Sequence, residues 1–433
     1  MKFKINFTHS EVELDIIKGE ERYKEMKKRL LCLLVGVLFV TGCSAQKVDT
    51  QTEGGAANSN ASASASGSES QEAVTDYDSL DEITIGLTAA QSGSNKTIGG
   101  FVINGAELAI EEINSNGGVL GKQLKLVIED EGESSQTAVN ATNKLLSRTD
   151  ISAIMGSTSS SYCLASSPFI EDRKIPYIAG GSSANIPAEG NEYMWQNRMT
   201  DDQSGYIMAK ACVEKLNIKN PAILYSTESF GTGLKDQTVA ALSEMGIEVS
   251  ESNVYGFNAD EKQFGPILSQ IQNSDVDGII AACHTNPASL IVVQSKDVGI
   301  DLPCIGSNAF SSIVCREAAK ELADGWYSIT DWSENGQTGK AKEFAEAYRE
   351  KYDAESDLVA VSAYDQVYIL ANAMESAESA DPEKINEALG ATSDFEGAMS
   401  NYTYHDTRCL STSQMLTINE DTKSVLVEKI YVE

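Results

Sequence analysis

Two short runs of small polar residues, Ser159-Ser160-Ser161 and Gly180-Gly181-Ser182-Ser183, carry the clearest binding chemistry in this chain. Each follows an apolar, strand-like run, and the first opens a helix-like one. A helix starting there offers free N–H groups and the positive end of its dipole, which suits a carboxylate. The same serines would also serve as plain N-caps, and Gly-Gly-Ser-Ser reads equally as an ordinary turn. Catalytic chemistry has little material. The only histidines are His9, His284 and His405. No GxSxG with partners, GxxxxGK[ST] or HExxH occurs, and Gly231-Thr232-Gly233 is too short a glycine pattern to mean anything. An enzyme is not predicted, and no cofactor is expected.

The elements around these runs begin with an address. Lys27-Lys28-Arg29 is a basic flank, Leu30 to Val40 is apolar, and Thr41-Gly42 are small residues before Cys43. That order reads as an export signal, and the apolar run is shorter than the ~20 residues of a membrane span. Val40-Thr41-Gly42-Cys43 resembles the lipobox of bacterial lipoproteins, which implies cleavage before Cys43 and a lipid on its sulfur. From Ser44 to about Ser79 the chain is rich in Ser, Ala, Gly and Glu, too poor in apolar residues to order itself. As a flexible coil it would reach on the order of 30 Å. Residues 1–25 precede the basic flank and fit no signal, so Met26 is the expected start. The predicted divisions are an upstream extension 1–25, a signal 26–42 and a lipidated tether 43–79.

The roughly 350 residues that follow are too many for one core and suit two domains. A formal charge of −31 argues against nucleic acid, which needs a basic surface, and against docking on anionic lipid. Without Cys32 and Cys43, six cysteines remain: Cys163, Cys212, Cys283, Cys304, Cys315 and Cys409. None forms a CxxC pair, so a zinc site has little support, and most are expected to be small buried apolar residues.

Strand and helix patterns then alternate. Residues 82–87 have a period of two, whereas Val102, Ile103, Ala106, Ala109, Ile110 and Ile113 share one helical face before an Asn116-Gly117-Gly118 stop. Strands are predicted at 124–128, 151–155 and 175–179, with helices at 138–146, capped by Ser134 or Ser135, and after Ser160. A second series from Asp201 predicts helices at 205–216, 233–245, 264–273 and 288–298. Its strands are expected at 222–225, 247–255, 278–282 and 303–306. Such alternation implies an α/β chain of two doubly wound parallel-sheet lobes, with ligands at the strand C-termini.

At this point the chain resembles the leucine/isoleucine/valine-binding proteins of branched-chain amino acid ABC importers, of the type I periplasmic binding fold. The resemblance spans about 83–432. It rests on GAELAIEEINSNGGVLGKQLKLVIEDE (105–131), MGSTSSSYCLASSPFIEDRKIPYIAGGSSAN (155–185), NRMTDDQSG (197–205), STESFGTGL (226–234) and Phe395-Glu396-Gly397 running on to Asp406. It implies three crossings between lobes, placing 80–200 and 330–405 in lobe 1 and 201–329 and 406–433 in lobe 2. It also implies a ligand carboxylate on Ser160, with Gly181 and Ser183 as the second ligand loop. Phe230 and His284 stand where relatives often carry aromatics. Relatives that bind amino acids commonly carry a carboxylate near Asn308; here that residue is neutral, so Glu228 or Asp331 is the expected ammonium partner, unless the ligand lacks an ammonium. The implied partners are a small amino acid, an ABC permease with its ATPase, and the membrane through Cys43. The alternatives are a tethered sensor or co-receptor, and an importer component for a short amide or aromatic acid.

Overall fold

A computed structural model describes residues 75–335, 337–410 and 413–431. The predicted upstream extension, signal, Cys43 and most of the tether lie outside these residues. The first series runs β1 (Glu82–Ala89), α1 (Lys96–Ser115), β2 (Gln123–Asp130), α2 (Ser135–Leu146), β3 (Ile151–Gly156), α3 (Ser160–Arg173), β4 (Tyr177–Ala179), α4 (Asn185–Ala188) and β5 (Met194–Gln196). These strands form a parallel sheet in the order β2-β1-β3-β4-β5. The second series runs α5 (Asp201–Glu214), β6 (Pro221–Ser226), α6 (Ser229–Glu244), β7 (Val254–Phe257), α7 (Gly265–Gln272), β8 (Gly278–Ala282), α8 (Thr285–Asp297), β9 (Cys304–Gly306), α9 (Ile313–Ala319) and β10 (Trp326–Thr330). The chain then returns to the first sheet with α10 (Gly339–Tyr352), α11 (Leu358–Ala377) and α12 (Pro382–Gly390). Two short hairpins follow, β11 (Phe395–Glu396) with β12 (Asn401–Tyr402), and β13 (Tyr404–His405) with β14 (Arg408–Cys409). Finally β15 (Ser413–Glu420) and β16 (Lys423–Tyr431) join the second sheet antiparallel, giving the order β16-β15-β10-β9-β8-β6-β7.

Each sheet is covered on both faces. Ile83, Ile85 and Leu87 alternate along β1 onto the apolar face of α1 and onto α11, whereas Ile151 and Ile154 of β3 meet α2 and α3. In the second sheet, Ile223, Ile280 and Ile305 pack on α5 and α6, with Leu224, Ile279 and Ala281 on α7 to α9. Complete burial of such a side chain contributes roughly 1.5–3 kcal/mol. All six described cysteines are buried free thiols. Ser134 caps α2, its hydroxyl accepting the Thr137 N–H in a reciprocal capping box. α1 and α11 approach closely at Gly105, where a Cβ would lie 2.0 Å from the Ala360 carbonyl oxygen. Gly105→Ala must push two helices apart and is expected to cost about 2 kcal/mol in denaturant unfolding; a change below about 0.5 kcal/mol would mean the helices separate freely.

Three expectations need correction. The tether predicted to run to 79 ends earlier, because Tyr77–Ser79 form a helical turn in which the Asp78 carboxylate accepts from the Ser379 hydroxyl and the Ala380 N–H. The strand predicted over 247–255 is shorter, because β7 begins only at Val254, paired with Ile223 of β6. Extending it backwards would bring it beside Pro221, the first residue of β6, which has no N–H to donate. The third crossing also comes later than the predicted 405/406 division. The Gln196 N–H donates to the Thr407 carbonyl, so the β13–β14 hairpin stays with the first sheet. Three crossings result: after β5, after β10 and after β14. Among the described residues no helix is long and apolar enough to cross a membrane.

Candidate functional site

The predicted residues gather at the C-terminal ends of adjacent strands in both sheets. In the first lobe, Ser159 occupies the N-cap of α3 yet makes no side-chain bond to the helix. The plain capping role allowed by the sequence is therefore not taken, unlike at Ser134. Ser160 is 1% exposed, and its hydroxyl accepts the Ser183 N–H at 3.1 Å. That contact needs a glycine at 181, since a Cβ there would sit 2.9 Å from the Ser160 Cα and 3.0 Å from its hydroxyl. The loop after β4 is thus laid on the start of α3, with Ser160, Gly181 and Ser183 together.

From the second lobe, Ser229 at the start of α6 reaches this cluster. Its N–H donates to the Ser161 hydroxyl at 3.3 Å, and its own hydroxyl lies 3.4 Å from that of Ser183. A further contact joins Asn286 of α8 to Asn95 at 3.0 Å. These particular contacts between the lobes are neutral hydrogen bonds. Phe230 is buried and its ring lies 4.8 Å from that of His284, centroid to centroid. Asn308 begins a short turn after β9, and the preceding Ser307 bonds to the backbone of β8 at Ala281 and Cys283. His284 and Asn308 thus stand at neighbouring strand ends.

The two carboxylates predicted for a ligand ammonium are both engaged elsewhere. Glu228 caps α6, accepting from the Phe230 and Gly231 N–H groups and from the Ser226 hydroxyl. Burial alone would raise its pKa, but nearby His284, the Ser226 hydroxyl and the Gly231 N–H outweigh it and hold the carboxyl down at about 2. His284 Nε2 stands 3.8 Å away, too far for a hydrogen bond. Asp331 lies in the second crossing and accepts from Arg198 and Gln414.

A different carboxylate lines a cavity beside Ser183 and Glu228. Asp201, the first residue of α5, is 1% exposed and neither of its oxygens has a hydrogen-bond partner. Burial lifts its pKa to about 7, with Glu228 and Asp202 adding to the rise and Ser182 and Arg198 easing it. Its N–H donates to the Ser182 carbonyl at 2.9 Å, which fixes it beside the loop carrying Gly181 and Ser183. Opposite, Gly233 leaves room, since a Cβ there would be 3.1 Å from Asp201 Oδ2. Ser183, Asp201, Glu228, Ser229, Thr232 and Gly233 share a cavity of about 340 Å³. Sequence reasoning missed Asp201: it stands next to Asp202, and nothing local says which of the two is buried. Glu131, at the end of β2, was missed as well. It is 5% exposed with Oε2 unpartnered, and burial lifts its pKa to about 7. Among the described residues no group of His, Cys, Asp and Glu could hold a metal ion.

Known proteins share this fold. The model of a family described as periplasmic binding protein matches residues 82–421. The leucine-, isoleucine-, valine-, threonine- and alanine-binding protein of Pseudomonas aeruginosa is 26% identical, over 75% of this chain and 86% of its own length. The structure of LivJ, a branched-chain amino acid transporter substrate-binding protein from Streptococcus pneumoniae solved with isoleucine, is 27% identical. Its TM-score is 0.74, over 81% of this chain and 99% of that one. A solute-binding protein from R. palustris, solved with benzoate, shares the fold at 18% identity and a TM-score of 0.74, over 81% of this chain and 98% of that one. With two doubly wound lobes, three crossings and a family match over most of its length, this chain belongs to the periplasmic binding proteins and is a solute binder, not an enzyme.

Proposed function

We propose that the chain captures a small amino acid between its lobes and delivers it to an ABC permease outside the cytoplasm. One observation carries this reading: the start of α3, without a side-chain cap, lies next to an unpartnered buried carboxylate. The two are joined by one short loop, through the bonds of Ser183 to Ser160 and of Asp201 to Ser182. The first end suits an α-carboxylate, received by the N–H groups of α3 and the hydroxyls of Ser160 and Ser183. The second suits an α-ammonium at Asp201, in place of Glu228 and Asp331. Phe230, His284 and Asn308 would close the far wall. An aliphatic side chain is favoured by the relatives that bind leucine, isoleucine or valine. Lipidation of Cys43 on the predicted tether would hold the lobes beside the permease, and Cys43→Ala should release the protein from the membrane fraction.

A thermal-shift panel of the twenty common amino acids tests the ligand class. One present at 100 times its Kd adds about 2.7 kcal/mol of stability, and a flat response across the panel would remove the proposal. Ser160→Ala and Ser183→Ala should each weaken binding about tenfold, near 1.4 kcal/mol for one bond to a charged group, and each should also lower the ligand-free melting temperature, because the Ser183 or Asn185 N–H loses its acceptor. Lower ligand-free stability with unchanged affinity would give these serines a merely structural role.

A further inference from the structure

One carboxylate ties the first two crossings to the start of β15. Asp331 Oδ2 accepts from Arg198 Nε at 2.9 Å and Oδ1 accepts from Gln414 Nε2 at 2.6 Å. Arg198 belongs to the first crossing and Asp331 to the second, and Gln414 is the second residue of β15, just past the third. The Arg198 and Asp331 side chains are 8% and 9% exposed, and Gln414 is 5% exposed. The guanidinium also acts on Asp201 three residues on, where its positive charge favours the ionised form. The other groups that act on Asp201 are Ser182 of the β4 loop, Asp202 on its own helix and Glu228 at the start of α6. Asp202 is itself held from the first lobe, by Arg408 at 2.8 Å.

A buried ion pair adds little net stability over apolar packing, but loss of one partner strands the other charge. Its value here comes from place. Hinge closure is absorbed by a few loop or element-terminal residues, and a carboxylate bonded from the second crossing to Arg198 and to the start of β15 restricts how they turn. We propose that Asp331 is the positioning residue of the hinge: it joins the first two crossings to the start of β15 and fixes the Arg198 guanidinium, three residues before Asp201 in the chain, linking lobe closure to the ammonium subsite. The link to Asp201 rests on the function proposed above; the tie between the crossings does not.

The test places spin labels at Glu171→Cys and Asp297→Cys, exposed positions on α3 and α8, and reads the inter-lobe distance in ligand-free protein. The affinity for the best amino acid is read beside it across pH. Asp331→Asn should broaden the distance distribution. It should also move the midpoint of the pH profile down by at least about half a unit, because an uncompensated Arg198 keeps Asp201 ionised to lower pH. Gln414→Leu keeps the ion pair and should broaden the distribution while leaving the midpoint in place. Wild-type distributions in both variants would overturn the hinge role, and an unmoved midpoint in Asp331→Asn would overturn the link to Asp201. If the wild-type protein binds no amino acid, the proposed function fails, and the distances still decide the hinge.

Discussion

Asp201→Asn is expected to weaken amino-acid binding on the order of 100-fold at pH 8, the scale of a desolvated charge pair, and to flatten its pH dependence. The sign follows from burial. Asp201 has no hydrogen-bond partner and its pKa is lifted to about 7, so below that pH the ligand-free protein holds it neutral. An ammonium needs the ionised form, hence wild-type affinity should rise with pH up to about 7 and fall up to tenfold per unit below it. Stability runs the other way. A carboxyl with a raised folded pKa contributes stability at low pH, lost as pH rises from about 4, its unfolded value, through about 7. The asparagine variant should therefore melt higher than wild type at pH 8 without ligand while binding worse. Calorimetry and thermal melts on the same samples check both halves. A variant that binds as well as wild type at pH 8 would remove Asp201 from the site.

The largest effect on folding is expected at Asp365, in the middle of α11. Its fully buried carboxylate accepts from the Ala398 N–H at 2.7 Å, the Met399 N–H at 2.8 Å and the Tyr402 hydroxyl at 2.6 Å. Asp365→Ala strands three donors at once, each costing about 1–3 kcal/mol when buried and unpaired, and water admitted to the gap would recover part of that. A loss of about 4 kcal/mol in denaturant unfolding at pH 7.5 is expected. A loss under about 1 kcal/mol would show that the 395–402 segment does not depend on this anchor. Burial outweighs these bonds and lifts the Asp365 pKa to about 6. Ionising it between about pH 4 and 6 therefore costs stability, although the three bonds limit that cost.

The contrast between these two acids shows what a sequence can carry. Alternating strand and helix periods, the Asn116-Gly117-Gly118 stop and the Ser134 cap are local signals, and they place both sheets and α3 correctly. The grouping of Ser160, Gly181 and Ser183 was also legible, since each follows a strand end. Acidic residues were not. Asp201 and Asp202 are adjacent and chemically alike, yet one is buried bare while the other meets Arg408, 206 residues away. Glu228 was expected to face the ligand; it lines the same cavity as Asp201, but the N–H groups two and three residues on bond both its oxygens. Asp331 drew attention by its charge, and only the meeting of three distant segments shows where that charge goes. Burial and long-range pairing decide the fate of a carboxylate, and neither has a period in the sequence.

The most direct measurement titrates the amino acid that gives the largest thermal shift, beside its amide and its deaminated acid. The amide lacks the carboxylate proposed to sit at the start of α3, and the deaminated acid lacks the ammonium proposed to sit at Asp201. Tight binding of the amino acid, with both analogues at least about 100-fold weaker, is the result this account predicts. A deaminated acid that binds as tightly as the amino acid would contradict it.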